Sequence, residues 1–237
     1  MQQVKADFVV LISAGAEWRA TLPLLNQTWQ YPTPYGKYFS KDINGSQIIF
    51  FHGGWGKVAT AGATQFAIER WHPRLLINLG TCGGFVGFTN LNEILLAEET
   101  VIYDIIEGMS DFEAAIKKYS SRADFSWLGD DAPVPIRPAR LLSADRDLRP
   151  EDIPQLISQF QGIAADWESG AFAWVATRNR IDWLVIRGVS DLVDENQSEA
   201  LGNVKLWQER TGPIMQTLLD CLTWVITRYQ EKPQEAV

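Results

Sequence analysis

Metal and disulfide chemistry have little to work with in this chain. Of 237 residues, two are histidine, His52 and His72, and two are cysteine, Cys82 and Cys221. Two cysteines make no disulfide framework, and a reduced, cytoplasmic setting is the simplest expectation. Two histidines build no His-rich centre, and Cys82, in T-C-G-G, has no partner at ligand spacing, so no metal is expected. No run of about 18 apolar residues occurs, so no membrane-spanning helix is expected. The start, M-Q-Q-V-K-A-D-F-V-V-L-I-S, lacks the long apolar stretch and small-residue cleavage site of a signal peptide. Positive charge is scarce: 21 Lys and Arg against 29 Asp and Glu leave a net charge of −8, with no basic stripe suited to nucleic acid. A phosphate loop is missing too. G-G-W-G-K-V at 53–58 lacks the glycine spacing and the hydroxyl residue after Lys57, and no G-x-G-x-x-G follows a strand.

Core-forming residues, by contrast, are plentiful: 46% of the chain is hydrophobic, with ten tryptophans. That suffices for one sizeable domain, expected over 1–230, with a frayed tail at 231–237. Short apolar runs at 7–13, 46–52, 75–79, 93–103 and 182–189 read as strands, several of them buried on both faces. Asn44-Gly45 reads as a hairpin turn. Ala59, Ala63 and Ala67 recur at helical spacing on a small-residue face, and His72-Pro73 ends that helix. G-T-C-G-G at 80–84 is expected to stop a strand, and 107–140 reads as loop. Ile214, Leu218, Leu222, Ile226 and Tyr229 share one face of a final helix. Strands alternating with helices predict a three-layer α/β/α domain.

Carboxylates stand where the apolar runs end: Glu17, Asp166 and Glu168, and Asp191. Each has an ordinary explanation. Glu17 at a helix start favours the helix dipole; Asp191 after a strand caps a turn; Glu168 at a helix start is a surface charge. As a set they sit where α/β sites form, and charges there need partners or a ligand.

Four stretches in order, G-W-G-K-V-A-T-A-G-A-T, I-N-L-G-T-C-G-G, D-W-E-S-G-A-F-A and V-I-R-G-V-S-D, resemble the nucleoside phosphorylase/nucleosidase superfamily. Within it they are most similar to the 5′-methylthioadenosine/S-adenosylhomocysteine nucleosidases, from about residue 7 to 228. The resemblance implies a central mixed, partly barrel-like sheet flanked by helices, a small nucleoside substrate, no cofactor and a homodimer. It makes Asp191 of V-S-D the acid that protonates purine N7, oriented by Ser190. It gives Glu168 the ribose hydroxyls, with Trp167 against the sugar in place of a Met and Asp166 one methylene shorter than the family's Glu. Thr81 keeps the hydroxyl of the glycine loop near the attacking water, beside Gly83. The family's N-terminal glutamates offer only Glu17 here as the base for water, and an ungapped alignment would put Trp18 there instead.

Breaking an N-glycosidic bond leaves a base that must be neutralised and an oxocarbenium-like sugar that must be captured. An aspartic acid titrates near 3.9 in water, so keeping its proton near neutrality takes about 4 kcal/mol from burial or hydrogen bonding. Phosphorylases of the superfamily hold phosphate with arginines. Asn78 stands where one is expected, and Arg19 lacks its G-D-P context, so water is the expected acceptor. The stretch S-A-D-R-D-L at 143–148 places Arg146 and Asp147 where the family carries apolar residues against the base. A futalosine-like or other nucleoside, a phosphorylase, and a non-catalytic binder on the same fold are the alternatives.

Overall fold

The computed structural model describes residues 5–232. The apolar run F-V-V-L-I forms β1 (Phe8–Ile12), buried at every position, and leads into α1 (Gly15–Leu24). A meander follows: β2 (Tyr31–Thr33), β3 (Gly36–Ile43) and β4 (Ser46–His52). Asn44 and Gly45 join the last two with φ of 52° and 77°, the left-handed pair that a two-residue hairpin requires. α2 (Gly56–Trp71) buries Ala63 and Ala67 and ends at His72, itself left-handed, before Pro73.

β5 (Leu75–Phe85) runs through the glycine stretch rather than stopping before it. The expected turn at 80–84 is therefore corrected: β10 (Asp182–Val193) pairs parallel to β5 along its whole length, and that ladder holds the glycines extended. At Gly80 the Glu17 carboxyl comes close, which leaves no room for a side chain in this arrangement. A Cβ on Gly80 would lie 2.8 Å from Glu17 Oε1.

β6 (Ile94–Ile102), α3 (Phe112–Lys118), β7 (Ser121–Arg122) and β8 (Ile136–Ser143) come next, so the stretch read as loop carries a helix, a short strand and the start of another. α4 (Ile153–Phe160), β9 (Ala164–Asp166), α5 (Ser169–Arg178) and α6 (Val204–Glu231) complete the order. Glu231, placed in the expected tail, is still helical; residues 233–237 of that tail lie outside the described residues.

Strand pairing closes a ring, β5-β10-β6-β8-β9 and back to β5, while β1, β4, β3 and β2 extend it as an open sheet from β5. Alternate residues of β1 feed opposite layers. Phe8, Val10 and Ile12 pack with α6, and Val9 and Leu11 with α2. This is the expected three-layer arrangement around a mixed, partly barrel-like sheet. Among the described residues no helix is long and apolar enough to cross a membrane.

Candidate active site

The pocket floor is the parallel pair β5 and β10. Val189 lies opposite Cys82 and Asp191 opposite Gly83, so Ser190 is an extra residue, a β-bulge in β10. A bulge re-aims the side chains beside it. Asp191 is thus inside its strand, not past the end as the sequence suggested. Ser190 Oγ lies 2.6 Å from Asp191 Oδ1 and 3.2 Å from the Cys82 carbonyl oxygen. The other carboxyl oxygen, Oδ2, forms no hydrogen bond with a described protein atom and faces Gly83, where a Cβ would sit 3.3 Å away. Burial pushes the Asp191 carboxyl up; the Ser190 hydroxyl opposes this, and the Glu199 carboxylate adds to it.

Glu17 occupies the first turn of α1 and reaches across to β5. It accepts from the Thr81 amide at 2.6 Å and the Thr81 hydroxyl at 2.9 Å, and Trp207 Nε1 donates to that same hydroxyl at 2.9 Å. It also accepts from Ala14 N at 3.3 Å, the contact its place at the helix start predicts. Burial raises its pKa, and the Arg187 guanidinium pulls the other way. Trp18, the competing position, is buried against Phe39 and stacks on His52 at 5.4 Å; it does not line the cavity.

Glu168 precedes α5 and accepts from Gly56 N at 3.1 Å, at the opening of α2. Its pKa is pushed up to about 8, by burial first and then by the Asp166 and Glu17 charges. Asp166, expected at the substrate, also lines the cavity, with its carboxyl held by protein donors. Oδ2 accepts from Arg187 Nε at 2.6 Å, and Oδ1 accepts from Ser169 Oγ at 2.8 Å and Ser169 N at 3.0 Å. Both its oxygens hold protein.

Arg187 is the residue that sequence reasoning missed. It is 1% exposed, and besides Asp166 it donates to the Asn78 backbone oxygen at 3.0 Å and to Asn78 Oδ1. The signal was present: an arginine in the middle of the apolar run D-W-L-V-I-R-G must have a buried partner. Asn78, the position compared with a phosphate-binding arginine, is fully buried beneath the pocket and faces Arg187 and Leu11.

These groups line one cavity of about 680 Å³ that contains Glu17, Thr81, Gly83, Glu168, Ser190 and Asp191. Trp167 lies at its edge, stacked on Trp55 with centroids 4.4 Å apart. Trp55 is 63% exposed. Leu148 covers Gly83 beside Asp191, Arg146 pairs with Asp152, and Asp145 accepts from Lys57 N at 2.7 Å, capping α2. Arg19 lies at the mouth with no ion-pair partner among the described residues.

The sequence model of the Phosphorylase superfamily matches residues 9–220. The 5′-methylthioadenosine/S-adenosylhomocysteine nucleosidase of Maridesulfovibrio salexigens is 28% identical over 177 residues, 69% of this chain and 76% of that protein. The protein of the same name from Buchnera aphidicola is 27% identical over 177 residues, 70% of this chain and 74% of the relative. Among solved structures, the Helicobacter pylori nucleosidase of that name, bound to butyl-thio-DADMe-Immucillin-A, superposes with a TM-score of 0.77 at 18% identity, covering 96% of this chain and 99% of that one. A futalosine hydrolase mutant from Helicobacter pylori gives 0.76 at 17% identity, covering 91% and 97%. At such identities these two likenesses speak for the fold.

Proposed function

The chain belongs to the phosphorylase superfamily, and from that membership and the geometry of its cavity we propose that it is a nucleosidase hydrolysing a 5′-substituted adenosine of the methylthioadenosine or adenosylhomocysteine type to free base and sugar. One observation carries the reading. Three carboxyls from separate elements, Glu17, Glu168 and Asp191, meet in one cavity, and burial raises the pKa of each.

In this mechanism Asp191 is the acid. Ser190 fixes one carboxyl oxygen, and the other gives its proton to N7 of the departing base, which leaves neutral. Glu168 takes the ribose hydroxyls. Its raised pKa keeps it neutral in the free pocket; hydroxyl donors favour the ionised form, so sugar binding drives its proton off and leaves a negative charge beside the developing cation. Glu17, held by Thr81, receives a proton from the attacking water, and a base with a raised pKa accepts that proton more readily. Water rather than phosphate is the acceptor, because the buried guanidinium of Arg187 is enclosed by Asp166 and Asn78 and cannot clamp an anion. A homodimer belongs to this reading and is tested by light scattering.

The test mixes the chain with methylthioadenosine, adenosylhomocysteine, adenosine and inosine, with and without phosphate, and measures free base. Adenine released from the first two at a rate indifferent to phosphate, and lost in Asp191→Asn, is the expected result. Base bound tightly without turnover identifies a binder instead. A second reading, a nucleoside with a bulkier 5′ arm such as futalosine, has its own support in the charged Arg146 and Asp147 that line the cavity. Faster release of base from futalosine than from methylthioadenosine would establish it.

A further inference from the structure

A second cleft, of about 400 Å³, opens between the C-terminal ends of α3 and α5 and shares no residue with the carboxyl-lined cavity. Lys118, Arg178 and Arg180 line it together with Ser121, Thr177 and Trp174, and no acidic residue does. None of the three cations forms a salt bridge among the described residues, although the chain carries a net charge of −8. Cations near helix C-termini complement the dipole, which accounts for Lys118 and Arg178. It does not account for the hydroxyls. Ser121 is 5% exposed and its Oγ has no hydrogen-bond partner; Thr100, its partner across the β6–β7 ladder, is equally unpartnered. Buried hydroxyls in folded proteins are nearly always paired. Thr177 Oγ accepts from Trp183 Nε1 at 3.0 Å and donates to no described protein atom.

Trp174 does not offer a platform for a base. Tyr119 stacks on it at 5.7 Å, and the Arg178 guanidinium lies over it at 5.0 Å. Its work is to hold Arg178 in place. What remains is three cations and the Thr177 hydroxyl with no acceptor charge, the donor set that a tetrahedral oxyanion takes.

We propose that this cleft binds a phosphate-class anion, either free phosphate or the phosphoryl group of a small ester, through Arg178, Arg180 and Lys118, with the Thr177 hydroxyl as a neutral donor and the buried Ser121 hydroxyl behind the cleft wall. α5 separates the two sites. Its ten residues span about 15 Å, from Ser169 beside Glu168 to Arg178 at the cleft. A ligand here leaves the carboxyl-lined cavity open.

Calorimetric titration of the full chain with inorganic phosphate and, separately, glycerol phosphate tests the proposal and tells the two sources apart. One saturable site is expected, retained when adenine fills the other cavity and unchanged in Arg19→Gln. The double variant Arg178→Gln/Arg180→Gln should weaken it by about tenfold or more, and Thr177→Val less. Nucleoside turnover by the double variant, if the chain is active, shows that it is folded. Absence of saturable binding up to about 10 mM of either ligand, or binding that adenine abolishes and the double variant keeps, overturns the proposal. Binding of polyanions alone, with neither small phosphate taken up, overturns it equally.

Discussion

An aspartic acid in water gives up its proton near pH 3.9; burial holds Asp191 back, with Glu199 adding to the effect and the Ser190 hydroxyl opposing it. In the proposed role that proton is the one handed to the base, so Asp191→Asn, which keeps the shape and has no acidic proton, should lower kcat by about 10²–10⁴-fold while adenine binding stays within a few-fold. Steady-state kinetics and a binding titration check the two halves separately. Trp55 makes a different kind of contribution. It stacks on Trp167 at the cavity's edge and touches none of the three carboxyls through a hydrogen bond. An aromatic contact of this sort is worth about 0.5–1.5 kcal/mol. Trp55→Ala should therefore raise KM up to about tenfold and leave kcat nearly unchanged; an equal fall in kcat would place Trp55 in the chemistry. Of the residues singled out from sequence, those meeting at the cavity were legible because each carboxylate ended an apolar run. The occupation of Asp166 was not, since Oδ2 goes to Arg187, 21 positions away.

Strands written as unbroken apolar runs, such as F-V-V-L-I and D-W-L-V-I, could be read from the sequence. β8 could not: I-R-P-A-R-L-L-S carries a proline and two arginines. The structure tolerates the arginines through partners on β6 and just before it, with Arg140 Nη2 2.6 Å from Glu99 and Arg137 Nε 2.5 Å from Glu93. Pro138 sits where β9 does not pair, as β9 meets β8 only at Leu141–Ser143. Ring closure thus rests on elements whose pattern is polar or, in three-residue β9, too short to show a period. Arg187 ties this closure together, joining β10 to β9 through Asp166 and to β5 through Asn78. Removing it leaves the Asp166 carboxylate buried without its counter-ion. Arg187→Met should cost about 3–5 kcal/mol in urea unfolding, and Arg187→Met/Asp166→Asn should be clearly more stable than the sum of the single losses. Strict additivity would mean that the pair is not coupled.

Across the whole molecule the carboxyls of the cavity set how stability changes with pH. Glu168 titrates near 4.5 when exposed and at about 8 in the fold, so between those values the folded chain holds a proton that the unfolded chain has released. Stability is then fully present below about 4.5 and is lost as pH rises towards 8. Glu17 and Asp191 shift in the same direction. His52 works the other way. Burial lowers its pKa below 6.5, so its contribution rises with pH until the unfolded histidine has lost its proton. Glu93 and Glu199, held below the ordinary range by Arg137 and Arg210, act only in acid, where protonation removes their contribution. Above about pH 6.5 the raised carboxyls are left to dominate. Unfolding free energy should fall between about pH 6.5 and 8 with a slope approaching 1.4 kcal/mol per pH unit for one proton, seen as a Tm lower by about 2–4 °C per kcal/mol. In Glu168→Gln, whose amide oxygen still accepts from Gly56, that slope should flatten and Tm near pH 8 should exceed the parent's, even as the proposed hold on the ribose is weakened. A parent whose Tm does not change across this window, or a variant that keeps the full slope, would show that Glu168 is already ionised in the folded chain, and the proton release proposed on sugar binding would go with it.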